Sequence, residues 1–178
     1  MRDTNAANTE KSGGLVRLEG KSGNHANFRN LDLVNSKGGI MRAAVLHEVG
    51  GRVAIEDIDV RKPRDNEVLV QTSFAGICHS DLGYIDGYLP SPMPLVMGHE
   101  AAGIVEQVGR NVSYVKPGDR VITCTSAFCG ECDVCVTGRP ALCSDTRVKP
   151  PPAENDRLSW KGQRAHQLAF LGSFRSEE

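Results

Sequence analysis

From Met41 onward, apolar residues come in short runs separated by Gly, Pro, Asn and Asp, a pattern of strands and turns rather than long helices. MRAAVLHEVGG predicts a first strand closed by a Gly-Gly turn. VAIEDIDV (53–60) is apolar at 53, 55, 58 and 60, and the broken alternation predicts a bulge. After a turn from Pro63 to Asn66, EVLVQTSFAGI (67–77) reads as a strand rich in β-branched residues, and CHSDLGYIDG (78–87) as a short helix ended by Gly87. Three prolines dictate an extended loop over LPSPMPLVMG (89–98). EAAGIVEQVG (100–109) is a strand with Gly103 at a bulge or close contact. Lys116-Pro117-Gly118-Asp119 makes a turn into the strand RVITCT (120–125). The stretch after Cys143 is polar and Pro-rich, with little periodicity to predict an element. Residues 1–40 scatter their apolar positions and read as a disordered or weakly ordered extension, leaving 41–178 as one mostly β domain, a barrel or sandwich with short helices.

Composition adds exclusions. Hydrophobic residues are 39%, charged residues 24% and the formal net charge is -1, so no strong field recruits nucleic acid or an anionic membrane. No apolar run approaches the roughly 18 residues of a membrane span. The opening MRDTNAANTEKSGG lacks the apolar core of a secretory signal, and the expected location is cytoplasmic. In that compartment the six cysteines read as metal ligands and thiols rather than disulfides.

Cys129, Cys132, Cys135 and Cys143 have the spacing C-x-x-C-x-x-C-x₇-C within one loop-like stretch. Thiolates this dense favour a soft tetrahedral cation, and zinc is the commonest. A second candidate pair is Cys78, between a strand and a helix, and His99, between the Pro-rich loop and a strand. Thiolate and imidazole suit zinc, but a catalytic zinc takes three ligands from protein, and a single Cys or His is equally at home as a buried packing or hydrogen-bonding residue. Cys124, in a strand before the cluster, reads as a core thiol; His25, His47 and His166 read as solvated.

Gly98-His99-Glu100-Ala101-Ala102-Gly103, followed by Gly109 and Val112, resembles the zinc-containing alcohol dehydrogenase signature G-H-E-x-x-G-x₅-G-x-x-V. Gly76-Ile77-Cys78-His79-Ser80-Asp81 resembles that family's first zinc-ligand motif, Lys116 to Val121 its turn and strand, and the four-cysteine stretch its structural zinc lobe. The four features stand in the family's order over about residues 41–175, and Trp160 to Phe174 resembles the branch containing the animal, plant and glutathione-dependent formaldehyde dehydrogenases. The resemblance implies a GroES-like β-barrel with a zinc-binding lobe and an oxidoreductase that passes hydride from an alcohol to NAD(P). It implies Cys78 and His99 as catalytic zinc ligands, Ser80 as the hydroxyl that binds the substrate oxygen and starts a proton relay, and Asp81 as the carboxylate orienting the imidazole. Glu100 would be the carboxylate beside the zinc, His79 a contact to the dinucleotide pyrophosphate, and Cys129, Cys132, Cys135 and Cys143 the structural zinc ligands. Full-length relatives are homo-oligomers acting on small alcohols or aldehydes.

Against the family pattern, position 83, a relay histidine in some relatives, is Gly83, and no G-x-G-x-x-G follows any strand. The expectation is an N-terminal fragment, inactive alone, with a complete sulfur site and a two-ligand remnant of the other. Ile85, Tyr88, Leu95 and Met97 would then lie on an uncovered face that aggregates or needs a partner. The alternatives are a non-catalytic structural zinc domain and a redox module whose oxidation releases zinc.

Overall fold

The computed structural model describes residues 39–149 and 156–176, and the backbone of two short strands nearer the N-terminus. In chain order the strands are β1 (Lys11–Ser12), β2 (Leu15–Arg17), β3 (Ile40–Leu46), β4 (Ala54–Val60), β5 (Val68–Gly76), β6 (Leu95–Val96), β7 (Glu100–Val108), β8 (Arg120–Thr123), β9 (Leu158–Trp160), β10 (Gln163–Gln167) and β11 (Arg175–Ser176). Helix α1 spans His79–Ile85 and the single turn α2 Asp133–Val136. Pairing runs β3–β4–β9–β10–β6 and returns from β6 to β3, so five strands close on themselves as the expected barrel, with β11 added along β3. The second sheet has the order β1-β2-β8-β7-β5. The expected extension over residues 1–40, with His25, lies outside the described residues except for β1, β2 and the start of β3; the hairpin β1–β2 pairs along β8.

The barrel core is Ala43, Val45, Ile58, Val60, Val96, Leu158 and Ala165, and a second cluster joins Leu46, Leu95, Met97 and Leu168 under α1. β4 pairs with β3 residue for residue and carries no bulge. The alternation that looked broken is regular: Glu56, Ile58 and Val60 face in, while Ile55 is 68% exposed. Glu56 inside breaks the apolar rhythm because its carboxylate accepts from the Trp160 indole at 3.1 Å and contacts His47 at 3.3 Å. The register shifts fall instead between β5 and β7, one of them opposite Gly103, where a Cβ would strike the Gln71 carbonyl.

Several expectations fail. The Pro-rich loop contains β6, and Leu95 and Met97 are buried rather than exposed, because β6 closes the barrel between β3 and β10; Ile85 is half-buried, and only Tyr88 of that group is exposed. The stretch after Cys143 that predicted no element supplies β9, β10 and β11; β9 and β11 are too short to show a period, and β10 is polar at four of its five positions. Cys124 is exposed, not core. His47 and His166 are half-buried: the His47 ring packs tilted against Trp160 with centroids 4.5 Å apart, and burial lowers the His166 pKa. Among the described residues no helix is long and apolar enough to cross a membrane.

Candidate metal centres

The four cysteines converge. Cys129 and Cys132 frame one turn, Cys135 lies in α2, and Cys143 follows a 3₁₀ turn over Pro140–Leu142. Their sulfurs are 3.4 Å (Cys132–Cys135), 3.8 Å (Cys143–Cys129), 3.9 Å (Cys132–Cys143) and 4.0 Å (Cys129–Cys135) apart. A tetrahedral ion with metal–sulfur bonds of about 2.3 Å needs sulfurs about 3.8 Å apart, so this cluster fits zinc. Backbone amides already point at the sulfurs, Cys132 N–H to Cys129 Sγ at 3.3 Å and Cys129 N–H to Cys143 Sγ at 3.4 Å. The amides of Asp145 and Cys129 bring the Cys143 thiol down to about 7, while burial pushes Cys135 up to about 12. Without a cation the cluster thus ionises unequally, and a divalent ion would favour the thiolate at every position. Arg147 joins Asp145 and Glu131 across the mouth of the lobe, and the Lys149 ammonium donates to the Cys143 carbonyl at 2.7 Å.

The second centre is assembled from distant segments. Cys78 ends the turn after β5, where its amide donates to Asp81 Oδ2 at 2.9 Å and fixes the start of α1. His99 precedes β7, whose first peptides are held by Thr123: Ala101 N–H donates to Thr123 Oγ at 3.0 Å. One donor atom each from Cys78, His99 and Glu100 lies within 4.8 Å of the others. The resemblance implied two ligands here with Glu100 as the carboxylate beside the zinc, and the fold places that carboxylate in the group as a third candidate donor. Ser80 Oγ donates to Cys78 Sγ at 3.2 Å and lies 3.1 Å from His99 Nε2. The Ser80 hydroxyl, its amide and His99 lower the Cys78 pKa, favouring the thiolate a metal needs.

Behind the imidazole, His99 Nδ1 and Asp81 Oδ1 are 3.3 Å apart, both side chains buried. Neither atom has an aligned hydrogen bond. A cation drawing on Nε2 would fix the proton on Nδ1 and make Asp81 its acceptor, which gives this orphaned pair a purpose. The donor set of thiolate, imidazole and carboxylate therefore fits zinc. His79 is exposed and Gly83 half-buried. A cavity of about 580 Å³ between the two sheets, walled by Val60, Val70, Phe128, Leu158 and Phe170, reaches neither Cys78 nor His99.

Sequence reasoning missed the segment that braces this centre. Ser173 is 2% exposed; its amide donates to the Gly98 carbonyl at 3.0 Å and its hydroxyl to the Glu100 carbonyl at 3.1 Å. The only signal in the chain was the glycine at 98, which adopts φ +87°.

Comparison with known proteins gives one consistent family. The profile of the alcohol dehydrogenase GroES-like domain matches residues 64–173. An NDMA-dependent alcohol dehydrogenase of Amycolatopsis methanolica is 48% identical over 102 residues, 57% of this chain and 28% of that protein. Alcohol dehydrogenase 6 of Peromyscus maniculatus is 39% identical over 137 residues, 75% of this chain and 36% of that protein. The crystal structure of an alcohol dehydrogenase zinc-binding domain protein from Burkholderia ambifaria superposes with a TM-score of 0.68 at 36% identity, over 77% of this chain and 38% of that one. The matched stretch thus accounts for about a third of each relative's length.

Proposed function

Since the chain belongs to the alcohol dehydrogenase GroES-like domain family, we propose that it provides the zinc-binding, alcohol-activating part of an oxidoreductase that interconverts small alcohols with aldehydes or ketones using NAD(P). The observation that carries this reading is the meeting of Cys78, His99 and Glu100 within 4.8 Å, backed by Asp81. Zinc bound there would supply Lewis-acid polarisation of the substrate oxygen and lower the alcohol's pKa. The protein's own residues do the rest. Ser80 touches both the sulfur and the imidazole donor, so its hydroxyl is placed to hydrogen-bond and orient the substrate oxygen. Asp81 holds the imidazole in one tautomer. Exposed His79 is the proposed contact for the cofactor's pyrophosphate. The cysteines 129, 132, 135 and 143 would hold a second zinc that orders the lobe, a contribution of roughly 10–16 kcal/mol of apparent binding energy at such sites.

The test is a metal count on purified chain handled without chelator. Two zinc ions per chain are expected, falling to one in Cys78→Ser and to one, at the other site, in Cys135→Ser. One ion in the parent chain, unchanged by Cys78→Ser, would refute the catalytic centre. That result would leave the second reading, a structural zinc domain, which the complete sulfur tetrahedron by itself supports.

A further inference from the structure

We propose that Ser173 is a positioning residue for the Cys78–His99–Glu100 centre, holding the peptide units on both sides of His99. The inference rests on the metal-binding reading above. A hydroxyl buried this deeply is unfavourable unless it is bonded, and an apolar residue would pack as well if packing were all that mattered. Here both donor groups of Ser173 serve one target. The amide bonds the carbonyl of Gly98, before His99, and the hydroxyl bonds the carbonyl of Glu100, after it.

The strap that carries Ser173 is itself anchored. Phe174 N–H donates to the Met97 carbonyl at 3.0 Å, Ala44 N–H to the Phe174 carbonyl at 2.8 Å and Met97 N–H to the Ala44 carbonyl at 2.9 Å. These three bonds close a ring between β3, the strap and the approach to His99. The approach and the strap fit each other only because residue 98 lacks a side chain. A Cβ there would lie 2.5 Å from Ser173 Oγ and 2.5 Å from the Phe174 ring. The backbone restraint adds to the contacts of the His99 side chain, whose Nε2 lies 3.1 Å from the Ser80 hydroxyl and whose Nδ1 lies 3.3 Å from Asp81 Oδ1 without an aligned hydrogen bond. The same strap sets Glu100, whose exposed carboxylate has no hydrogen bond among the described contacts of its own side chain that would aim it.

The experiment is a cobalt titration of the full chain, the Ser173→Ala variant and the Ser173→Thr variant, following the visible d–d and thiolate charge-transfer bands. The four-cysteine site in the same molecule is the internal reference. Ser173→Ala should weaken cobalt binding at the Cys78 site about 5-fold, in the range that one net hydrogen bond commands, with the four-cysteine site unchanged. Ser173→Thr, which keeps the hydroxyl, should restore most of the affinity. Equal affinity in Ser173→Ala and the parent overturns the proposal while leaving the metal centre standing. Equal weakening at both sites, or loss of the fold in Ser173→Ala, also overturns it, since Ser173 would then serve the domain at large. A parent chain that takes up cobalt only at the four cysteines removes both this proposal and the reading beneath it.

Discussion

Replacing Glu67 by Gln would remove the carboxylate on which the two sheets' ionic contacts converge. Glu67 stands just before β5 and accepts from the Arg61 guanidinium at 2.7 and 3.0 Å, from Arg157 at 2.7 Å and from the Arg64 amide at 2.9 Å. Arg61 follows β4 and Arg157 precedes β9, so both arginines belong to the barrel while β5 belongs to the other sheet. Burial pushes the Glu67 carboxyl up, but the Arg61 guanidinium, the Arg64 amide and Arg157 outweigh it and bring it from 4.5 to about 2. A carboxylate depressed in the folded state adds stability above its unfolded pKa, and that stability is lost as pH falls from about 4.5 towards 2. At full weight such a shift is about 3 kcal/mol. The side chain is 20% exposed, and screening by water reduces the expectation to about 1–2 kcal/mol.

Urea unfolding of both chains at pH 7, 5 and 3 measures this. The stability gap should be about 1–2 kcal/mol at pH 7 and drop to roughly a fifth of that or less by pH 3. Metal loss at low pH affects both chains alike, since thiolate ligands protonate in each, so the gap isolates Glu67. A gap of the same size at pH 3 and pH 7 would refute the reasoning. The amide would then be a misfit in packing, and the ionic contacts would contribute nothing.

Two further outcomes follow from the same geometry. Asp81→Asn should reduce zinc affinity at the Cys78 site by about 10–100-fold, because the imidazole loses the acceptor that fixes its tautomer; competition with a chelator reads this, and the four-cysteine site should hold its ion unchanged. Gly98→Ala should lower stability by about 2 kcal/mol or more, since it strains a positive φ and drives a methyl into Ser173 and Phe174; a thermal midpoint equal to the parent's would contradict it.

The barrel and the two donor clusters were legible in the sequence for different reasons. The cysteine lobe was plain because its four donors fall within residues 129–143, where spacing alone fixes geometry. The β5–α1 unit was plain because a nine-residue strand that begins with Val68, Val70 and Thr72 meets a short helix at Cys78. The barrel's closure was hidden. β6, β9 and β11 have two or three residues each, below the length at which alternation can be seen, and β6 lies among prolines that argue against any strand. Cys124 misled because a thiol is usually buried, while here β8 ends at Thr123 and the chain has already left the sheet. Ser173 was invisible because its value lies in contacts 73 and 75 positions away along the chain, to Glu100 and Gly98.

The two centres consequently depend on the fold in different ways. The sulfur lobe needs only its own loop, two amide-to-sulfur bonds and a cation, so local order and metal binding can coincide there. The Cys78 centre needs the end of β5, the start of β7 held by Thr123, and the strap beyond β10, three segments that meet only when the barrel closes. Partial unfolding of the barrel should therefore empty the Cys78 centre first, while the lobe keeps its ion. Cobalt absorbance followed through a urea titration would separate the two, with the thiolate–imidazole bands disappearing before those of the four-sulfur site. A single transition shared by both sets of bands would mean that the lobe, too, draws its order from the barrel.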